Sequence, residues 1–264
     1  MGACAGAREL TEGHYAVNPN GDDASLTWRI DEFASRILQR KVARLEVNSG
    51  TAPAIQHMID DVLASMRASK VNLVVCRIPE IDTGTGLVLQ SSGFSIVECL
   101  LSLSTPLAPA APRSVKEFAR VTPEEAAACG EIARMTFAHD RFHVDPEIPD
   151  RLASELKYQW ASNACKGRSD VVFAAHETGE LVGFNACLLR GTTAVIDLIG
   201  VAPGARGQGL ARRLVEAALD YYGGRATQLQ VGTQSRNFGS LALYQRCGFR
   251  VTNSYFTFHL HQSA

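Results

Sequence analysis

The chain has 264 residues, and its 26 Lys plus Arg against 27 Asp plus Glu give a formal net charge of −1. This balance excludes the strongly basic field typical of many nucleic-acid-binding proteins, so no nucleic-acid partner is expected. The length corresponds to one or two domains, with a core that needs neither disulfides nor a metal. No apolar run reaches the roughly 18 residues of a membrane span, so no membrane association is expected.

The first part of the chain predicts a small lobe behind a leader. Residues 1–25 are small and polar and are expected to form a flexible leader. Residues 26–103 are expected to form the lobe, and the apolar face shared by Ile55, Met58, Ile59 and Val62 indicates a helix. Its predicted strands lie at 43–47, 72–77 and 96–103, and its helices at 53–68 and 86–92. The Pro- and Ala-rich residues 104–113 predict a linker.

Residues 114–264 predict a larger lobe in which strands and helices alternate. Thr122 and Glu125 have the spacing of a capping box and Pro123 takes the first helical position, which predicts a helix to about residue 137. Further helices are expected at 150–164, 207–221 and 239–246. Strands are expected at 115–120, 171–175, 181–189, 194–201, 227–232 and 254–259.

Seven cysteines are scattered along the sequence without C-x-x-C spacing: Cys4, Cys76, Cys99, Cys129, Cys165, Cys187 and Cys247. This spacing argues against a zinc site or a redox dithiol, and no metal is predicted. Most of these cysteines lie in apolar runs, which is typical of reduced core residues. They therefore predict a reducing, cytoplasmic compartment.

The two lobes end in similar sequences. In the first, a helix containing Gln90 is followed by Gly93-Phe94 and a strand. In the second, a helix containing Gln245 is followed by Gly248-Phe249 and a strand. A strand also precedes each helix, and this shared register predicts an internal duplication.

A glycine-rich turn follows the predicted strand 194–201. It reads Arg206, Gly207, Gln208, Gly209, Leu210 and Ala211, an R-x-x-G-x-A pattern that opens a helix. Small residues let the backbone approach a ligand, and the N–H groups of a first helical turn bind pyrophosphate. The pattern is neither a Walker loop nor a G-x-G-x-x-G dinucleotide loop. Taken alone, the pattern is better explained as a plain tight turn with solvated arginines.

The elements around this turn resemble the GNAT superfamily of acyl-CoA N-acyltransferases over about residues 115–262. The turn is followed by a strand, Asn237, a helix with Tyr244, and Gly248-Phe249. The resemblance implies an α/β fold (a mixed α+β sheet) in the second lobe, with acetyl-CoA as acyl donor between two strands that splay apart. Backbone groups of Leu198, Ile199, Gly200 and Val201 would contact its pantetheine arm, and residues 206–211 its pyrophosphate. Asn237 would hydrogen-bond the pantetheine arm, and Tyr244 would protonate the departing thiolate.

Three segments resemble the TDP-fucosamine acetyltransferase group within that family. They are residues 137–145 (FAHDRFHVD), 158–160 (YQW) and 231–237 (VGTQSRN). The resemblance implies acetylation of a small-molecule amine, most specifically an amino sugar, by direct attack in a monomer or homodimer. Two alternatives remain: a non-catalytic CoA-binding or scaffolding protein on the same fold, and an acyltransferase for a peptide or protein amine.

The general base is open between two candidates. Asp197 lies in an apolar strand, where a carboxylate is costly unless it faces a cleft; a position on the sheet surface explains it equally well. His143 lies with Arg141 and Asp145 in the segment that forms the acceptor pocket in this family, and an imidazole suits proton transfer. An exposed loop histidine is the alternative for His143.

The first lobe is expected to be a degenerate copy of the second. Aligning the two Gly-Phe pairs places Asp82 at the position of Asn237 and Leu89 at that of Tyr244. A carboxylate cannot donate a hydrogen bond to pantetheine, and Leu cannot protonate a thiolate. The chain is therefore expected to bind one CoA.

Overall fold

The computed structural model describes residues 12–17, 24–107 and 119–263. The chain divides into two compact units. Unit 1 comprises the described residues up to Glu98 together with those from Tyr255 onward, and unit 2 comprises Cys99–Ser254. No helix in the described ranges has both the length and the apolar character that a membrane crossing requires.

Unit 1 is a sheet with helix α2 packed on it. Its strand order is β1-β2-β3-β4-β10, with β3 and β4 parallel and the other pairs antiparallel. Helix α2 presents the predicted apolar face, and these residues form the core with strand residues such as Trp28 and Val74. The elements are β1 (Glu12–Val17), β2 (Ala24–Ile30), α1 (Glu32–Leu38), β3 (Val42–Ser49), α2 (Ala52–Ala68), β4 (Leu73–Pro79), α3 (Thr83–Ser91) and the end of β10 (Arg250–His261).

Strand β1 lies inside the segment expected to be a flexible leader. Its residues pair antiparallel with β2 from Glu12↔Arg29 to Val17↔Ala24. The expectation is therefore wrong for residues 12–17, because main-chain hydrogen bonds to a neighbouring strand order a segment whose composition gives no sign of it. Residues 1–11 and 18–23 lie outside the described residues.

An ion pair in unit 1 joins the buried carboxylate of Glu98 to the partly exposed guanidinium of Arg77. The Glu98 side chain is 1% exposed; it accepts from Arg77 Nη2 at 2.8 Å and from Thr257 Oγ1 at 3.0 Å.

Arg77→Met should lower the free energy of unfolding by about 3 kcal/mol, because it removes the cation that balances a buried carboxylate. Urea unfolding measures the effect. The matched control is Arg29→Met, whose pairing with Glu46 is exposed at both ends and should matter by less than about 1 kcal/mol. Equal losses in the two variants would contradict this account.

Unit 2 is a mixed α/β unit. Its strand order is β5-β9-β8-β7-β6, and β8 and β9 are parallel neighbours joined by α7. The capping box of Thr122 and Glu125 is present as predicted, at a single 3₁₀ turn that leads into α4. The elements are β5 (Ser95–Pro106), α4 (Ala126–Thr136), α5 (Arg141–Val144), α6 (Asp150–Asn163), β6 (Val171–Glu177), β7 (Glu180–Arg190), β8 (Thr193–Val201), α7 (Leu210–Tyr222), β9 (Gln228–Gln234), α8 (Phe238–Arg246) and the start of β10.

The division into units differs from the predicted lobes at both ends. Most of β5 belongs to unit 2, where residues 100–106 pair with β9, and residues 255–261 of β10 belong to unit 1, where they pair with β4. Residues 104–106 of the predicted linker are therefore strand, because Pro106 ends the pairing instead of preventing it. Residues 108–113 of that linker and 115–118 of the predicted strand lie outside the described residues; Arg120 forms an isolated bridge with Phe173.

The predicted repeat has matching backbone geometry in the two units. Asp82 caps α3 and Asn237 caps α8, with φ/ψ of −81°/65° and −86°/69°, and each side-chain oxygen accepts from the backbone N–H three residues on. Gly93 and Gly248 end these helices with φ of +92° and +86°. In both units, moreover, a helix joins two parallel strands that pair over four residues. This agreement supports the duplication and the alignment of Asp82 with Asn237.

Candidate active site

Strands β8 and β9 separate after the first half of their length. Residues 193–196 pair with residues 228–231, although β8 continues to Val201 and β9 to Gln234. On their outer sides β8 remains paired with β7 and β9 with β5 to these ends. Each strand therefore presents main-chain groups toward a gap, and such groups need hydrogen-bond partners. An extended ligand can enter such a gap as an added strand would.

The turn between β8 and α7 has the geometry of an anion site. Gly207 and Gly209 have φ of +80° and +75°, values that favour glycine. Beyond chain neighbours, no heavy atom of the described residues lies within 4 Å of the Cβ position at either glycine. Gly209 is the N-cap of α7, so the first amides of the helix and the positive end of its dipole face the turn. Arg206 begins the turn, and its Nε donates to the Val201 carbonyl at 3.4 Å.

Helix α8 carries the two predicted residues that follow the gap. Asn237 Oδ1 accepts from Ser240 N at 3.2 Å, so the Nδ2 end of the amide is the end that can donate to a ligand. Tyr244 is 3% exposed and packs against Phe249. Burial raises the pKa of the Tyr244 phenol above its ordinary value. The phenol therefore keeps its proton at neutral pH, as an acid must.

Asp197 is held by two side chains from the segment around the end of α6. Its Oδ2 accepts from Arg168 Nη1 at 2.7 Å and from Trp160 Nε1 at 3.2 Å, and its side chain is 12% exposed. Arg168 also lies over the Trp160 ring, 5.2 Å from its centroid. The carboxylate is thus engaged by two donors, one of them a guanidinium. This arrangement favours the structural alternative for Asp197 over the role of base.

His143 lies in a line of hydrogen bonds with an acid and a hydroxyl. Its Nδ1 is 2.7 Å from Asp140 Oδ2, and its Nε2 is 3.2 Å from Ser154 Oγ. The His143 side chain is 9% exposed, so it is not the exposed loop histidine of the alternative prediction. Asp140 is buried, and its other oxygen caps α5 by accepting from Phe142 N at 3.0 Å.

Lys157 supplies the positive charge beside Asp140. This lysine is 6% exposed, and its Nζ lies 3.5 Å from Asp140 Oδ2 and over the rings of Phe137 and Trp160. Burial opposes ionisation of Asp140, but the charge of Lys157 and the hydrogen bond with His143 outweigh it. Together they hold the pKa of Asp140 well below its ordinary value.

The depressed pKa of Asp140 predicts a pH-dependent stability. The ionised carboxylate contributes stability above the unfolded-state pKa of about 4, and this contribution is lost as pH falls toward the lower folded-state pKa. Asp140→Asn should therefore be less stable than wild type by about 2 kcal/mol at pH 7, and the difference should shrink below pH 4. Urea unfolding across this pH range measures it, with Asp61→Asn on the exposed face of α2 as the control. A difference that does not vary with pH would contradict the role of the charge.

The end of α4 brings this cluster next to the gap between β8 and β9. A Cβ at Gly200 of β8 would lie 3.1 Å from Ile132 Cγ2 and 3.3 Å from Thr136 Oγ1. Thr136 is the last residue of α4, four residues before Asp140. The hydrogen bond between Trp160 and Asp197 makes a second connection, from α6 to the same strand. The Asp140 cluster and the separated part of β8 therefore belong to one region of unit 2.

Comparison with known proteins identifies a domain within unit 2. Residues 133–249, which include the gap, the turn, Asn237 and Tyr244, match the model of the Acetyltransferase (GNAT) family. The chain carries a GNAT acetyltransferase domain. It is accordingly a transferase of the acyl-CoA N-acyltransferase class, as the sequence predicted.

Three relatives show how far the likeness extends. The spore coat polysaccharide biosynthesis protein SpsD of Bacillus subtilis is 27% identical over 234 residues, which cover 86% of this chain and 80% of SpsD. A GCN5-related N-acetyltransferase from Sphaerobacter thermophilus matches with a TM-score of 0.61 at 18% identity, covering 93% of this chain and 79% of that one. A tandem GNAT protein from the clavulanic acid biosynthesis pathway matches with a TM-score of 0.55 at 14% identity, covering 97% and 85%. Both structural matches establish the fold.

The two other predicted acceptor residues, Arg141 and Asp145, have different surroundings in the GNAT domain. Arg141 lies in α5 with its guanidinium over the Phe142 ring, 4.4 Å from the centroid. Asp145 is 3% exposed, and its Oδ1 accepts from Glu147 N at 3.0 Å, so it stabilises the turn after α5. The acceptor-binding role of Arg141 and Asp145 stays a prediction.

Sequence reasoning missed four side chains of this region of the GNAT domain: Asp140, Ser154, Lys157 and Arg168. The spacing of Asp140 and His143, three residues apart, was the available signal for one pair, since side chains three apart share a helical face. Nothing in the sequence signals that Ser154 meets His143, because that contact depends on how α5 packs on α6.

Proposed function

We propose that this chain transfers an acetyl group from acetyl-CoA to the primary amine of a small molecule, an amino sugar or sugar-nucleotide amine. The observation that carries the proposal is the separation of β8 from β9 beside a glycine turn at the N-terminus of α7. An extended arm ending in a pyrophosphate needs such a pair of features. Members of the GNAT family use an amine as their second substrate.

The residues around the gap fit coenzyme A. The amides of residues 207–211 and the charge of Arg206 would hold the pyrophosphate, since the turn is open where a Cβ would stand. Main-chain groups of Leu198, Ile199, Gly200 and Val201 and the amide of Asn237 would hold the pantetheine arm. When bound, acetyl-CoA supplies the acyl group as an activated thioester.

Tyr244 would serve the chemistry directly, whereas Asp197 would have a positioning role. Tyr244 would hold a proton at its hydroxyl for the departing sulfur, and its raised pKa keeps that proton in place at neutral pH. Asp197 would orient Trp160 and Arg168 and would not act as the base. Proton removal from the amine would then depend on the group around His143.

The acceptor class is supported by resemblance. The segments 137–145, 158–160 and 231–237 resemble the TDP-fucosamine acetyltransferase group, and the relative SpsD is described as a protein of polysaccharide biosynthesis.

A thiol-release assay with acetyl-CoA and a panel of amines tests the proposal. The panel should contain TDP-linked amino sugars, free amino sugars and lysine peptides, with hydroxyl analogues of the sugars as controls. We expect release of CoA with a TDP-amino sugar and none with its hydroxyl analogue. Acetyl-CoA binding without turnover on any amine would instead indicate a non-catalytic CoA-binding protein, and turnover on the peptides alone would move the acceptor to a protein amine.

One CoA per chain is expected from calorimetry. In unit 1 the turn from β3 to α2 contains only Gly50 and Thr51, whereas residues 202–209 join β8 to α7. Asp82 and Leu89 stand where Asn237 and Tyr244 stand in unit 2, so unit 1 lacks the donor and the acid. A stoichiometry near two would contradict the degenerate role proposed for the first lobe.

A further inference from the structure

In the line of hydrogen bonds from Asp140 through His143 to Ser154, the donor and the acceptor of each bond can be assigned. Asp140 is ionised at neutral pH, because Lys157 lies 3.5 Å from its Oδ2. An ionised carboxylate only accepts hydrogen bonds, so Nδ1 of His143 must be the protonated nitrogen. In the neutral imidazole Nε2 is then the acceptor, and Ser154 Oγ, 3.2 Å away, is its donor.

Exposure differs along this line. Asp140 is buried, the His143 side chain is 9% exposed, and Ser154 at the other end is half-buried. An imidazole this enclosed, with both nitrogens already engaged, meets a substrate through its neighbour and not directly. The Ser154 oxygen keeps lone pairs that can accept from an incoming N–H.

We propose that Ser154, His143 and Asp140 form a proton relay for the attacking amine, in which Ser154 meets the amine, His143 stores the proton and Asp140 positions His143. This inference rests on the proposed function. It differs from His143 acting as a base in direct contact with the amine, because the group that touches the substrate is a serine hydroxyl on α6.

The relay balances in protons and electrons. As the nitrogen lone pair forms the C–N bond and the C–S bond breaks, the amine N–H proton passes to Ser154 Oγ. The proton of the Ser154 hydroxyl passes to His143 Nε2, and Tyr244 gives its proton to the sulfur. The imidazolium is stabilised by the Asp140 carboxylate until it returns its proton to water, and the Tyr244 phenolate regains a proton from water, which closes the cycle.

The charged groups beside the imidazole come from two elements. They are Asp140, from the turn before α5, and Lys157, from α6, which is paired with the same carboxylate. Arg141 and Asp145 flank His143 in the chain; the first lies over Phe142 and the second accepts from Glu147 N. Asp140 is therefore the carboxylate placed to stabilise a proton taken up by His143.

Kinetics of Ser154→Ala with an accepted amine test the relay. We expect kcat to fall about a hundredfold, the lower end of the effect of general acid–base groups, with the Kd of acetyl-CoA and the KM of the amine within threefold of wild type. Ser154→Thr keeps the hydroxyl and should recover most of the activity. Ser162→Ala, the same change about 12 Å further along α6, is the matched control and should leave kcat unchanged. His143→Gln should lower kcat at least as far as Ser154→Ala does.

Two further measurements separate the possible failures. Nitrogen-15 NMR of the imidazole should find the Nδ1–H tautomer of His143 in wild type and a mixture in Asp140→Asn, a readout that needs no turnover. Wild-type kinetics in Ser154→Ala would overturn the relay, as would an acetyl group found on Ser154 by mass spectrometry, which would make the serine a nucleophile. If the wild-type enzyme acetylates no amine, the proposed function is contradicted. The NMR result would still show which nitrogen of His143 carries the proton.

Discussion

Replacing Tyr244 with Phe should lower turnover about a hundredfold while the affinity for acetyl-CoA changes by no more than a few-fold. The ring stays in the core beside Phe249, so packing is preserved, and only the hydroxyl that would protonate the departing thiolate is lost. The raised pKa of the buried phenol keeps this acid protonated at neutral pH. The loss in kcat should therefore be similar from pH 6 to pH 8.

Rate assays with saturating acetyl-CoA measure the effect, and thermal unfolding tests whether the fold is unchanged. Tyr222→Phe is the matched control. Tyr222 is also buried in unit 2, but its hydroxyl donates to Asp170 at 2.7 Å, so its loss affects stability. If Tyr244→Phe retains wild-type turnover at every pH, another group protonates the sulfur.

Gly209→Val should weaken CoA binding at least tenfold. The residue has φ of +75°, where a β-branched side chain costs about 1–3 kcal/mol, and the valine would stand where the backbone is expected to meet the pyrophosphate. The backbone strain at residue 209 and the blocked approach of the pyrophosphate should both weaken CoA binding. Isothermal titration with CoA measures the change.

Two other glycines separate these effects. Gly204 lies in the same connection, with open space at its Cβ position and no positive φ, so Gly204→Val adds bulk without strain. Gly179 has φ of +88° in the turn between β6 and β7, so Gly179→Val adds strain away from the gap. We expect near-normal CoA affinity in both. If Gly209→Val binds CoA as well as these controls do, the turn is not the pyrophosphate site.

Much of the fold and of the cofactor side could be predicted from the sequence, because local rules govern it. The capping box of Thr122 and Glu125 and the apolar face of α2 each depend on residues within a few positions of one another. The glycine turn at residues 206–211 is equally local. For this reason the position of each in the chain was enough to predict its geometry.

The acceptor side could not be predicted in the same way. In the sequence, Asp197 is a candidate base. In the structure, it accepts hydrogen bonds from Arg168 and Trp160, which are 29 and 37 residues away in the chain. Ser154 and Lys157 lie on a helix whose sequence does not say which residues it will meet. The order of strands was equally hidden, since which strand pairs with β4 depends on contacts across most of the chain.

The last strand of the first predicted lobe, β5, pairs with β9, and the last strand of the second, β10, pairs with β4. These pairings limit how the chain can be divided. A fragment that ends before residue 108 lacks the strand that pairs with β4, and a fragment that begins after residue 118 lacks the strand that pairs with β9. Each piece alone would leave a row of main-chain donors and acceptors open at a sheet edge, a template for aggregation. Produced together, the two pieces should complement each other and restore acetyl-CoA binding, whereas the predicted catalytic lobe produced alone should be insoluble.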